Sequence, residues 1–270
     1  MFFFAPVLGT VLALSPSPSP SPSPLPEIAH VYTTDRTDET LANTARTTYI
    51  VTREQIAKNG YRTIGESIAS LPGVQILPYG AFGSTMNYSI RGSGAAQILV
   101  LVDGLPAPGS FANSVELGNL PTTGVQRIEV VEGGGSTLYG SGAIGGIINV
   151  ITQRASANHA TVRYGSFADR ELDVATNHVQ ISRAIANNNF GLPGGLTQPD
   201  SDYQVSAIHV DGGHRIGVFN ATLRASLSGD HSGTPGAVPF QSITSRENDV
   251  NGAANLTLDR KTARGETTVQ

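Results

Sequence analysis

The spacing of apolar residues changes character once along the chain. From Thr48 to Thr152, short apolar runs are separated by turns and two helical patches; beyond His159 the repeat becomes two residues. In the first stretch Thr52-x-x-Gln55 is a capping box, and its helix should stop at Gly60. Thr63-x-x-Glu66 is a second capping box, opening a helix whose Ile64, Ile68 and Leu71 form a buried stripe before Pro72-Gly73 ends it. Strands are predicted at Thr47–Val51, Val74–Leu77, Gln97–Val102, Arg127–Val131 and Ile147–Thr152. Gln97–Val102 is apolar on both faces, which suits a central strand, and Asp103-Gly104 turns the chain after it.

In the second stretch Gly217, Phe219, Ala221, Leu223, Ala225 and Leu227 fall on one face, and Asn220, Thr222, Arg224, Ser226 and Ser228 on the other. Asn251–Asp259 repeats the pattern, with Gly252, Ala254, Leu256 and Leu258 against Asn251, Asn255, Thr257 and Asp259. Strands apolar outside and polar inside mark an outer-membrane barrel; the competing expectation is a soluble β-sandwich. Weaker strands are expected at His159–Tyr164, Glu171–Gln180 and Tyr203–Val210. Asp211-Gly-Gly-His214 reads as a hairpin turn, Gly229–Arg246 as a long outer loop and Asn187–Asp202 as an irregular connection. His209 and His214 flank Asp211; exposed turn histidines are the commoner outcome than a metal site.

Composition narrows the classes. With 270 residues, 14% charged, a net charge of −4 and only two lysines, Lys58 and Lys261, the chain has no basic footprint for nucleic acid. Zero cysteines exclude disulfides and thiolate metal sites. No apolar run is long enough for a transmembrane helix. No His-Glu-x-x-His, P-loop or Gly-x-Ser-x-Gly signature is present, so no enzyme chemistry is expected. Gly140-Ser-Gly142-Ala-Ile-Gly145 satisfies the dinucleotide pattern, but the β-branched Ile147–Thr152 follows where a helix is needed. A nucleotide-dependent oxidoreductase therefore fails on context. Met1–Leu14 is short and apolar, like a signal-peptide core, though without a positive start. Ser15–Pro24 alternates Ser and Pro and should be an extended spacer.

The run Val125–Arg154 closely resembles the end of the plug domain of TonB-dependent outer-membrane receptors. The likeness rests on Ile128, Glu129, Val130, Gly133, Ser136, Tyr139, Gly140, Ala143, Gly145, Gly146, Ile148, Asn149 and Thr152. Leu71-Pro-Gly-Val74, Ile90-Arg91-Gly92 and Val102-Asp103-Gly104-Leu-Pro106 are similar to further phrases of that family. Glu132 stands where the family usually has Arg, and Gly134 where it has Pro; a reversal at a packed plug–wall contact would be costly without a compensating change.

The resemblance implies an α+β plug, a small mixed sheet with short helices, followed by antiparallel β-hairpins of an incomplete outer-membrane β-barrel. It implies a signal peptide at 1–15, a linker at 16–26, a TonB box at 27–34, a plug at 45–154 and barrel strands at 159–270. Glu27, Ile28, Val31, Tyr32 and Thr33 would add as a strand to a TonB-type energy-transducing protein. The outward loops Pro78–Asn87 and Ala107–Ser114 would meet a large ligand such as a metal chelate. Their candidates are Tyr79, Phe82, Asn87, Phe111 and Asn113, the aromatics alternatively packing on the barrel wall. Arg91, Gly92, Asp103, Gly104, Glu129, Tyr139, Gly140, Gly145, Gly146 and Asn149 carry the plug motifs.

No resident cofactor or metal is implied; the partners are TonB and outer-membrane lipid. The ligand class stays open among siderophore-iron, cobalamin, haem and oligosaccharide, with a loose likeness of Gly229–Arg246 to vitamin B12 and siderophore receptors. About five wall strands are legible, against about 22 in the family's barrel. An open sheet in lipid would leave edge groups unpaired at several kcal/mol each, more than the ~5–15 kcal/mol of a domain's stability. A truncated or split reading frame is therefore expected, with a plug that can still fold. The competing function is a free-standing periplasmic plug-like binding module that transports nothing.

Overall fold

A computed structural model describes residues 30–269 apart from 32, 34–38, 80–81, 108–114, 136–138, 140–141, 153–157, 189–190, 192–194, 235–244 and 263–264. The signal-peptide and linker expectations lie outside the described residues.

The N-terminal part runs β1 (His30–Val31), β2 (Glu39–Thr40), β3 (Thr48–Thr52), α1 (Arg53–Asn59), α2 (Ile64–Ile68), β4 (Val74–Pro78), β5 (Met86–Ile90), β6 (Ser93–Gly94), β7 (Ile98–Val102), β8 (Leu105–Pro106), β9 (Val125–Glu132) and β10 (Gly146–Thr152). A mixed five-stranded sheet has the order β3-β9-β10-β7-β8, with β10 and β7 parallel; β4-β5-β6 form a second small sheet. The first capping box closes as the sequence predicts: Thr52 and Gln55 bond reciprocally, and Gly60 ends α1 at φ 69°. At α2 only half of it forms. Thr63 accepts from the Glu66 N–H, while the Glu66 carboxylate accepts from the Arg62 N–H at 2.8 Å, one residue earlier than a full box requires. Leu71 lies beyond the helix. Ile56, Ile64, Ile68, Tyr88, Ile98, Val100, Ile128, Val130, Ile148 and Val150 are buried together between the helices and the sheet.

Gly146–Thr152 pairs between β9 and β7 as a strand, so no helix opens on Gly140–Gly145 and the dinucleotide geometry is not built. The Asp103-Gly104 turn takes positive φ at both residues, 50° and 82°, as a two-residue hairpin needs.

The second part is one antiparallel sheet in chain order: β11 (His159–Tyr164), β12 (Arg170–Ala175), β13 (Val179–Ala186), β14 (Tyr203–Ile216), β15 (Phe219–Gly233), β16 (Arg246–Thr262) and β17 (Gly265–Val269). Two expectations are corrected. Glu171–Gln180 is not one strand but the hairpin β12–β13, turning at residues 176–178. Asp211–His214 is not a turn: β14 runs through it to Ile216, and the chain reverses at Gly217-Val218, where Gly217 takes φ 60°. The Gly212-Gly213 pair looked like a turn, but an extended strand tolerates glycine where a neighbouring strand, here β15, supplies its ladder. Gly217 is thus a turn residue and not a member of the outward face. His209 and His214 lie on one strand at alternate-face positions, one buried and one exposed, and do not converge.

The alternation is inverted relative to a soluble sheet. Small or polar side chains face the N-terminal part: Gln180, Ser182, Ala207, Ser228, Ser232, Asn255 and Thr257 are buried there. Large apolar ones point away, with Leu223 49%, Leu227 52% and Leu256 54% exposed. A sheet whose outer face is apolar needs an apolar solvent. Its connections alternate in length as well, long after β13 and β15 and two residues after β14 and β16.

Candidate functional site

Three places hold the polar chemistry of the chain. The first is the seam between the N-terminal domain and the sheet that walls it. One guanidinium nitrogen of Arg62 lies 2.7 Å from both Asp169 carboxylate oxygens, and the same group stacks 3.3 Å from the centre of the Phe82 ring. Phe82 in turn meets Tyr203 edge-on at 4.8 Å. Further along, Asn119 donates to Asp230 (3.1 Å), the Gly124 N–H to Gln180 (2.9 Å), and Asn255 to the Asp103 carbonyl (3.3 Å). Gly124, at φ 73°, passes so close to the His209 ring that a side chain there has no room. These bonds satisfy wall groups that would otherwise face an empty bore.

The second place is the end where the long connections lie. Tyr79 is 74% exposed, and Asn87 is exposed on β5. Phe82 is occupied differently: it fills the wall contact just described. Phe111 and Asn113 lie outside the described residues. Below this end Glu116 accepts N–H bonds from Met86 (2.9 Å) and Gly118 (3.1 Å). Burial, assisted by the nearby Glu247 and Asp249 charges, pushes its carboxyl up to about 7 against those two bonds. Burial also pushes the Tyr88 phenol up to about 12; its oxygen accepts from the Val115 N–H at 3.3 Å.

The third place is the face of β9 and β10 that carries Glu129 and Asn149, cross-strand partners in register. Both are fully buried. Arg127 neutralises one Glu129 oxygen at 2.7 Å. Of the candidate TonB-binding residues, Thr33 is docked here through Glu129 and Asn149 and Val31 is buried; Glu27, Ile28 and Tyr32 lie outside the described residues.

The motif glycines and turns have local reasons. Gly146 admits no side chain, since a Cβ would stand 2.8 Å from the Val131 carbonyl. Gly145 is pressed against Ser93. Arg91 and Gly92 take φ 49° and 84°, and Arg91 reaches the Glu132 carboxylate at 2.5 Å. Glu132 therefore has its opposite charge within the N-terminal domain and does not lie at the wall; this is the compensation its departure from the family pattern calls for. Asp103 accepts from the Thr152 N–H (2.8 Å) and hydroxyl (2.6 Å), and Asn149 accepts from the Gly104 N–H (3.1 Å). Gly140 lies outside the described residues.

Sequence reasoning missed the seam residues Arg62, Asp169, Gln180, Tyr203 and Asp230. The signal was present for three of them: Gln180, Tyr203 and Asp230 occupy the inward positions of their strands' two-residue repeat.

A small mixed-sheet domain seated on the polar inner face of an antiparallel wall with an apolar outer face is a plug against barrel strands. The comparisons agree. Residues 40–147 match the TonB-dependent receptor plug domain. The chain is 33% identical over 196 residues to the vitamin B12 transporter BtuB of Vibrio cholerae, covering 71% of this chain and 31% of that protein. It is 27% identical over 219 residues to the BtuB of Vibrio vulnificus, covering 79% and 35%. In structure it is similar to the pyoverdine outer-membrane receptor FpvA of Pseudomonas aeruginosa, with a TM-score of 0.65 and 19% identity over 87% of this chain and 38% of that one. The alcaligin outer-membrane receptor FauA of Bordetella pertussis gives 0.63 and 18% over 88% and 40%. The chain carries a TonB-dependent receptor plug domain at residues 40–147, is similar to receptors and transporters of that family, and spans about a third of the length of the curated relatives it matches.

Proposed function

We propose that the chain supplies the plug and adjoining wall strands of an outer-membrane receptor that takes up a scarce, large nutrient of the cobalamin or siderophore-iron class. Energy comes from a TonB-type protein acting on the segment 27–34. Residues 45–154 form the plug and 159–270 the wall. Tyr79 and Asn87, together with the candidates Phe111 and Asn113, contact the ligand, while Phe82 anchors its loop to the wall.

The observation that carries this reading is the inverted wall. Plug groups bond to Asp230 and Gln180 on its buried polar face, and its apolar face is left for lipid. No covalent step is required: ligand capture, plug rearrangement and passage suffice. The test is retention and uptake of labelled cyanocobalamin and of a panel of ferric siderophores by cells expressing the chain joined to the remaining wall strands of the Vibrio cholerae BtuB it matches, with and without a functional TonB. TonB-dependent accumulation of one of them supports the reading. A chain that fractionates without detergent as a water-soluble protein refutes it.

A further inference from the structure

The outward face of the wall changes chemistry at both ends. Along β15 it runs from Phe219, beside the Gly217-Val218 turn, through Leu223 and Leu227 to Gly229, which pairs with the exposed Val250 of β16. At ~3.3 Å per residue and a tilt of about 40°, that stretch crosses ~26 Å, close to the apolar band of about 25 Å that an outer-membrane wall presents to lipid. At the Phe219 rim Arg260 lies 5.9 Å from the centre of the Phe219 ring.

The other rim, beside the long connections, carries a second basic group. Exposed positions alternate as Arg170, Leu172 and Val174 on β12, and as Ile181 and Arg183 on β13. Arg183 lies directly across the ladder from Leu172, and Arg170 across from Ile185. The two arginines are therefore diagonal neighbours on one face, about 7–8 Å apart and within reach of a common partner. Tyr164, 83% exposed, stands opposite Arg170 on β11.

Other arginines of this part of the chain are matched: Arg163 meets Glu171, and Arg246 meets Asp200 and Asp202. Among the described residues Arg170 and Arg183 meet no carboxylate. Two like charges side by side repel, and an arginine on the lipid face is tolerated only near the headgroups. One anion between them removes both penalties. A guanidinium offers two parallel N–H donors to a single phosphate, and a tyrosine at the band's edge suits the headgroup level. Leu172, Val174 and Ile181 continue below as an exposed apolar strip that a free phosphate would not use.

We propose that Arg170, Arg183 and Tyr164 form a site on the outside of the wall for a phosphorylated lipid of the outer leaflet. The phosphate sits between the two guanidinium groups, and the acyl chains lie along Leu172, Val174 and Ile181. The site rests on the wall being embedded in a membrane with its long connections outward; it touches neither the plug nor the transported ligand.

The test uses the full chain in dodecyl maltoside micelles doped with diphosphoryl lipid A, with the same lipid stripped of its phosphates, or with phosphatidylethanolamine, the bound lipid being counted by native mass spectrometry. Diphosphoryl lipid A should bind at least about tenfold more tightly than either alternative. Arg170→Gln and Arg183→Gln should each weaken it about tenfold or more, as expected for loss of a hydrogen bond to a charged group, and the double variant further. Arg183→Lys, which keeps the charge and loses the fork, should fall between Arg183→Gln and the parent. Arg260→Gln, at the opposite rim, should bind as the parent does. Exchange of the Ile148 amide should be unchanged throughout, which separates lost binding from lost fold. Parental binding by the double variant, or an equal loss in Arg260→Gln, overturns the site. Displacement of the lipid by equimolar inorganic phosphate overturns the lipid as its occupant. A chain that needs detergent yet ignores lipid A overturns the site and leaves the receptor reading standing; a chain that stays in solution without detergent overturns both.

Discussion

Asp103 offers a sharp test of how the plug motifs work. Its side chain accepts two hydrogen bonds from Thr152, and its backbone sits at φ 50°. Asp103→Ala removes both bonds and leaves the buried Thr152 N–H without its acceptor, a loss of about 1.5–3 kcal/mol for a bond to a charged group. It also places alanine in a left-handed conformation that costs roughly 1–2 kcal/mol. The sum, about 2.5–5 kcal/mol, is a large part of a domain stability of ~5–15 kcal/mol. Asp103→Asn keeps an acceptor and tolerates the left-handed turn, so its loss should be nearer ~1 kcal/mol. Thr152→Val removes only the hydroxyl and should also lose ~1 kcal/mol. The measurement is amide exchange at Val130, Ile148 and Thr152 in the intact chain in detergent, where the slowest core amides report the opening free energy of the plug. If Asp103→Ala left those amides within ~0.5 kcal/mol of the parent, the turn would not be fastened through Thr152 and the motif would need another explanation.

Other outcomes follow from the same geometry. Gly146→Ala puts a Cβ 2.8 Å from the Val131 carbonyl and 3.0 Å from Ile90, so plug stability should fall by about 1–3 kcal/mol, read from the same amides. Glu116, with its carboxyl raised to about 7 from an ordinary 4.5, binds its proton more tightly folded than unfolded. Its contribution therefore favours the fold at acid pH and is lost as pH rises from about 4.5 through 7; Glu116→Gln should flatten that part of a stability–pH curve while keeping the bonds to Met86 and Gly118. Leu256→Arg on the apolar face of β16 should impair membrane assembly by up to ~2–4 kcal/mol, scored as the fraction of chain in the outer-membrane fraction. Tyr79→Ala should weaken capture of the transported ligand without lowering plug stability, separating the exposed aromatic from Phe82, whose loss should loosen the seam.

Local patterns carried a great deal. The helices at Arg53–Asn59 and Ile64–Ile68, the Asp103-Gly104 turn and the strands on either side of the glycine run were all legible, because capping, positive φ and β-branching act over a few neighbouring residues. The two-residue repeat past His159 likewise fixed which side chains share a face, since the pleat leaves no alternative. The glycine pair misled at Gly212-Gly213, where pairing to β15 overrode the local turn preference.

What the chain could not announce was which distant residues would meet. That Glu132 would find Arg91, that Arg62 would fix Asp169 and Phe82, and that Thr33 would enter the Glu129–Asn149 socket depends on strands brought together from far apart. Short-range pattern reports a residue's face and its backbone preference. The identity of a buried charge's partner is decided only when the fold removes water from around it, because only then does an unmet lone pair become costly enough to select one arrangement.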